Sequence, residues 1–261
     1  MTSVALTSLL QGLLGLASAL TALKLFSTGL YRQYPIFFLY FVFRVPNSIL
    51  PLLLDTGSNA YFYYYVITLP LVLAFYILLV RELYQLVLQD YRGLQTAGRW
   101  TMYLSLVGAL ALSLLTLLPT IQPSMPQRSK VMWLVMASQR GVETSLALFI
   151  ILLLALLSRY PIQLRRNVRV NAVVYSVYFL SGTMNTLAWT ILGLKSIGTL
   201  NTVVTLVNVC SGFAWLFLLS PAGEKVAAPK VGAKGASERR LLMQLDDLNA
   251  ALLRLRANRV G

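Results

Sequence analysis

The run VMWLVMASQRGVETSLALFIILLLALLS, residues 131–158, decides the fold class. It is apolar at both ends and long enough to cross a bilayer as a helix rising ~1.5 Å per residue. Two charges interrupt its middle, within Ser138-Gln139-Arg140-Gly141-Val142-Glu143-Thr144-Ser145. Arg140 and Glu143 are three apart and share a helix face. A charge at membrane depth costs ~2.5–3.5 kcal/mol on insertion scales. A bundle interior can offset that cost and lipid chains cannot, so the charged face is expected to turn inward.

The rest of the chain reads the same way. Of 261 residues, 57% are hydrophobic and only 11% charged, and the mean hydropathy is +0.71. Soluble domains carry about 25% charged residues. The composition predicts an all-α integral membrane protein. Apolar runs place seven transmembrane spans at about 4–26, 36–54, 61–80, 100–118, 131–158, 171–194 and 200–219. The first lacks the basic lead of a signal peptide and is expected to be retained. Its Gly12, Gly15, Ala17 and Ala19 allow close helix packing. Pro46 and Pro51 fall inside the second span, which predicts a bend or break and freed carbonyls. Tyr61-Phe62-Tyr63-Tyr64-Tyr65 opens the third span, as an interfacial belt or as the aromatic mouth of a pocket. The third helix is expected to continue through Arg81-Glu82-Leu83-Tyr84 toward Arg92, with Gly93 as its stop.

Beyond the spans, residues 221–236 form a linker rich in Ala, Gly, Pro and Lys. Residues 237–259 then predict a cytoplasmic amphipathic helix with Leu241, Leu245, Leu248, Leu252 and Leu255 on one stripe. That helix lies on the membrane surface or bundle, or forms a short homodimerising stalk.

Basic residues set the orientation. Lys24, Arg32, Arg81, Arg92, Arg99, Arg159, Arg165, Arg166, Arg169 and the eight of the tail lie on one side; Arg128, Lys130 and Lys195 lie on the other. The 17-to-3 bias puts the N-terminus outside and the C-terminus in the cytoplasm. The same distribution explains the net charge of +14 without nucleic acid as a partner.

The chain has no histidine and one cysteine. A Ser-His-Asp triad, His-ligated metal, His haem ligation and an internal disulfide are excluded. No metal or cofactor set and no nucleophile–base pair is visible, so no enzyme is expected. Cys210 reads as a small core residue.

Arg44 and Glu143 fall at similar depth in their spans, with Arg140 about one turn further out. With Asn47, Tyr64, Gln139 and Asn185 they form the candidate ligand-binding or buried-charge cluster. Two cations face one anion. If Arg140 pairs with Glu143, Arg44 needs another acceptor: a carbonyl freed by proline, water, or a small anionic or polar ligand. The same three charges also read as structural glue between helices, or as a proton relay.

The layout resembles microbial rhodopsins and G-protein-coupled receptors, but their motifs are missing. The last span has no Schiff-base lysine, the third ends Arg81-Glu82-Leu83-Tyr84, and the last lacks Asn-Pro-x-x-Tyr. Tyr34-Pro35-Ile36-Phe37-Phe38, Arg81-Glu82-Leu83-Tyr84, Asp90-Tyr91-Arg92-Gly93 and the leucine-rich tail resemble a family of bacterial seven-helix membrane proteins, a resemblance that implies no activity. The architecture is also similar to seven-helix sensor input modules. The expectation is a sensory or receptor-like module of the bacterial inner membrane. It binds a small ligand among spans two, three, five and six and signals to a cytoplasmic partner. A small transporter or permease and a structural subunit of a membrane complex are the alternatives.

Overall fold

The computed structural model describes residues 2–55, 58–89, 91–117, 126–159, 164–192, 197–224, 243, 244, 246, 247 and 249–251. These are helical, with no strand among them. The long helices are α1 (Thr2–Ser27), α2 (Pro35–Leu53), α3 (Asn59–Val87), α4 (Arg92–Leu117), α5 (Gln127–Arg159), α6 (Arg166–Leu192) and α7 (Ile197–Leu218). Six of them, all but α6, contain stretches long and apolar enough to cross a membrane. This is the makeup of a multi-pass membrane protein.

Six helices close a ring in the order α1, α2, α3, α5, α6, α7 and back to α1. α3 also reaches across to α6, while α4 stands outside the ring against α5 and, less closely, α3. The small residues of α1 serve this closure. A Cβ on Gly15 would meet Ser48 Cβ of α2 at 3.5 Å, and one on Gly212 of α7 would meet Ala17 Cβ at 3.2 Å. Outward faces are apolar. α1 exposes Leu9, Leu16, Leu23 and Phe26, and α4 exposes Trp100, Leu104, Val107, Leu112 and Leu115. α6 exposes Val173, Val177, Leu180 and Met184, a stripe at helical spacing. Averaging along the chain hides that stripe, because the inward face of α6 carries Asn167, Asn171, Tyr175, Tyr178 and Thr183.

One end of the bundle, end A, gathers the α1–α2 turn, the α3–α4 turn, the start of α6 and the end of α7. Gly29 leaves α1 with φ 73, the left-handed conformation that glycine adopts without strain. Lys24 Nζ donates to the Leu216 carbonyl at 2.5 Å, a cation on the negative end of α7. Tyr34, Asn167 and Arg165 all donate to the Glu224 carboxylate, the first at 2.7 Å and the last at 3.4 Å. Burial, and then this carboxylate, push the Tyr34 hydroxyl well above the usual tyrosine range, so it stays a donor.

Several expectations change. α2 runs unbroken through Pro46 and Pro51. Gly93 does not stop α3, which ends at Val87; it is the second residue of α4. Side chains from elsewhere hold that early start of α4. Asn249 Oδ1 accepts from Gly93 N at 2.7 Å, and the Tyr84 hydroxyl donates to the Leu94 carbonyl at 2.6 Å. Cys210 is exposed on α7, not in the core. The described residues within 243–251 are helical, but the Leu241–Leu255 stripe and residues 225–236 of the linker lie outside the described residues.

Candidate functional site

Arg44 is buried at 8% exposure on the inner face of α2. Tyr40 lies one turn earlier on the same face. The guanidinium stands over the Tyr40 ring at 5.3 Å and the Tyr178 ring at 5.2 Å. Its Nη1 donates to the Tyr178 hydroxyl at 2.8 Å. The Tyr178 hydroxyl is hydrogen-bonded to that of Tyr76 of α3 at 2.5 Å, with Tyr40 further off at 3.4 Å. Three tyrosines from three helices therefore surround one cation. Packed behind them are Phe179 and Trp215, whose ring centroids lie 5.4 and 6.1 Å from that of Tyr178.

A cavity of about 180 Å³ adjoins this cluster. Gln11 of α1, Arg44, Asn47 and Ser48 of α2, Tyr76, Tyr178 and Asn208 of α7 supply its polar wall. Among the described residues the wall offers one cation, amides and hydroxyls, and no carboxylate. α5 contributes nothing to it, contrary to the expected set of spans two, three, five and six; α1 and α7 take its place.

The carbonyls around the prolines are used differently from expectation. Pro51 has no N–H, so the Asn47 carbonyl four residues earlier loses its helical donor. Tyr64 of α3 fills the gap. Its hydroxyl donates to Asn47 Oδ1 at 2.6 Å and lies 3.2 Å from the Asn47 carbonyl. The tyrosine run is thus divided. Tyr64 and Tyr65 face inward, while Tyr63 is 63% exposed.

Arg140 and Glu143 do not pair. Arg140 Nε donates to Ser113 Oγ of α4 at 3.2 Å, because α4 packs directly on that face of α5. Glu143 is buried and accepts from Gln139 Nε2 at 2.8 Å. Its carboxylate lies on Gly182 of α6, where a Cβ would come within 2.7 Å of Oε2. Oε2 has no hydrogen-bond partner among the described residues. Arg44 and Glu143 do not meet either, although Tyr76 lies in the field of both. Asn185 stands apart from both groups, its Nδ2 3.5 Å from Asn201 Oδ1.

The expected cluster is therefore divided among separate places. Arg44 and Asn47 line the cavity, with Tyr64 bonded to Asn47 behind it; Gln139 and Glu143 form a second group; Arg140 and Asn185 each bind elsewhere. Sequence reasoning missed Tyr40, Tyr76 and Tyr178. The spacing of four between Tyr40 and Arg44 was the one local signal. It also missed Glu82, which is buried and accepts from Ile36 N at 3.0 Å and Phe37 N at 3.1 Å, capping α2 from α3. Asn167 and Glu224 of the end A cluster were missed as well.

Comparison with protein-family models, with curated proteins and with solved structures finds no match. The reading of function rests on the geometry.

Proposed function

We propose that the chain is a sensory, receptor-like module of the bacterial inner membrane. It has seven spans, with the N-terminus outside and end A in the cytoplasm. It takes a small anionic or polar ligand into the Arg44 cavity and signals to a cytoplasmic partner. The apolar outward stripe of α6 supports the seventh span, and the 17-to-3 bias of basic residues supports the orientation.

The observation that carries the reading is Arg44. A buried cation costs several kcal/mol unless it is paired. Two aromatic faces and one hydroxyl offset part of this, at ~0.5–2 kcal/mol for a cation on a ring. The guanidinium has five donors in a fork that matches a carboxylate or phosphate. An anion in the cavity would complete its shell, with Asn47, Asn208 and Gln11 orienting the remainder. α2 supports the signalling half. It carries Arg44 in its middle and, at end A, the two amides held by Glu82, beside Tyr34 and Glu224.

Thermal unfolding of the detergent-purified chain with acetate, succinate, inorganic phosphate or glycerol tests the reading. At least one anion should raise Tm, glycerol should not, and Arg44→Gln should abolish the rise while Arg140→Gln keeps it. An anion effect that survives Arg44→Gln would overturn the site. Saturable uptake of the stabilising anion into vesicles would replace the sensor with a transporter.

A further inference from the structure

The α3–α4 crevice at end A holds a feature that the cavity does not explain. Arg81 of α3 and Arg99 of α4, with Tyr84, Gln85, Gln95 and Met102, line a small notch. Both arginines are half-buried, and neither makes an ion pair among the described residues. Like charges on facing helices repel, so an anion between them would be favoured. α4 stands outside the ring and meets α3 only weakly, with contacts at this end. There the contact is very tight. Tyr84 occupies the place of a Cβ on Gly98, and Gln95 Nε2 donates to the Gln85 carbonyl at 3.2 Å.

Each arginine stands at the foot of an outward apolar stripe. Arg81 continues into Leu78, Leu71 and Ile67 of α3, exposed by 36, 48 and 63%. Arg99 continues into Tyr103 and Val107 of α4, also exposed, beside Trp100 at 65%. Tryptophan at this level suits the headgroup zone of a bilayer. The notch itself has a volume of about 20 Å³, room for one small group. We infer that this crevice binds an anionic phospholipid, its phosphate between Arg81 and Arg99 and its acyl chains along the two stripes. The chemistry recognised is a phosphate ester, and its apolar continuation makes the source a lipid. The inference needs only that these helices cross a bilayer, and stands whether or not the Arg44 cavity takes a ligand.

Native mass spectrometry of the intact chain tests it, after release from nanodiscs of equal phosphatidylglycerol and phosphatidylcholine. The chain should retain phosphatidylglycerol preferentially. Arg81→Gln with Arg99→Gln should cut the retention ratio at least tenfold. Arg128→Gln, at the opposite end, should leave it unchanged. Arg81→Lys with Arg99→Lys keeps the charge and should keep most of the preference, which guards against a folding defect in the glutamine variant. Equal retention of the two lipids, or a preference that survives the glutamine variant, would overturn the inference. So would inorganic phosphate displacing the lipid at millimolar concentration, because the acyl chains would then contribute nothing.

Discussion

The Arg44 guanidinium of α2 donates to the Tyr178 hydroxyl of α6 at 2.8 Å, and among the described residues no carboxylate takes part. The Tyr178 phenol accepts from the cation and is hydrogen-bonded in turn to two more phenols, Tyr76 and Tyr40. The charge is spread over rings and hydroxyls instead of being neutralised, which leaves it available to an anion in the cavity.

This bond is testable without a ligand. Tyr178→Phe removes the acceptor and strands a buried charged donor. Hydrogen bonds to charged groups contribute ~1.5–3 kcal/mol, so destabilisation of that size is expected. Tyr76→Phe should cost ~1 kcal/mol, since Arg44 keeps Tyr178. The double variant should lose less than the sum, as members of one network do. Reversible unfolding in mixed micelles measures all three, and strict additivity would mean that the tyrosines act separately.

Some of this was visible in the sequence, and the boundary has physical causes. Span positions follow from apolar runs, and six of the seven reappear as apolar helices because bilayer thickness fixes their length. Arg44 sits inside one of these helices and is buried, as a charge in an apolar run should be. Its partners were not legible, because they depend on the rotation of α3 and α6 about their axes, and α3 carries tyrosines on more than one face. The continuation of the third helix past Val80 through Glu82 was legible, but the role of Glu82 was not. The helix goes on to Val87, and Glu82 faces the start of α2 across a turn that no local pattern encodes. The pairing of Arg140 with Glu143 failed because i, i+3 spacing permits contact without requiring it, and Ser113 offers Arg140 an acceptor on α4.

Glu82 makes a second case. Its two oxygens accept from two consecutive amides of the first turn of α2, which has no side-chain cap of its own at Tyr34. A carboxylate at a helix N-terminus also opposes the positive end of the dipole. Glu82→Gln keeps one acceptor and exchanges the other for a donor facing an N–H. We expect a loss of ~1–2 kcal/mol and faster hydrogen exchange at Ile36 and Phe37. Glu82→Ala should cost more than Glu82→Gln. Exchange at these two amides unchanged from wild type in Glu82→Ala would show that something else caps α2.

Gly182 and Glu143 form a close steric pair. A methyl group at Gly182 would come within 2.7 Å of Glu143 Oε2, nearer than a Cβ tolerates. Gly182→Ala must then displace the carboxylate or part α5 from α6, and overpacking of this kind costs ~1–3 kcal/mol. Glu143→Ala removes the obstacle. The double variant should be more stable than Gly182→Ala alone, by at least ~1 kcal/mol if the clash dominates. Melting curves of the four proteins of this cycle decide the matter, and additive effects would place the strain of Gly182→Ala elsewhere.

Asn249 ties the C-terminal segment to the bundle. Its Oδ1 accepts from Gly93 N in the first turn of α4, where the helix leaves donors unpaired. Asparagine and aspartate cap such ends about equally well, and alanine does not. Asn249→Ala should therefore speed hydrogen exchange at Gly93 and lower stability by ~1 kcal/mol, while Asn249→Asp should hold both near wild type. The comparison separates capping from mere proximity, because a segment that only rests against α4 would respond alike to both substitutions. A deletion after Glu224 should match Asn249→Ala at Gly93 and leave the Lys24–Leu216 contact at end A intact. Exchange at Gly93 that ignores both Asn249→Ala and the deletion would detach the tail from α4.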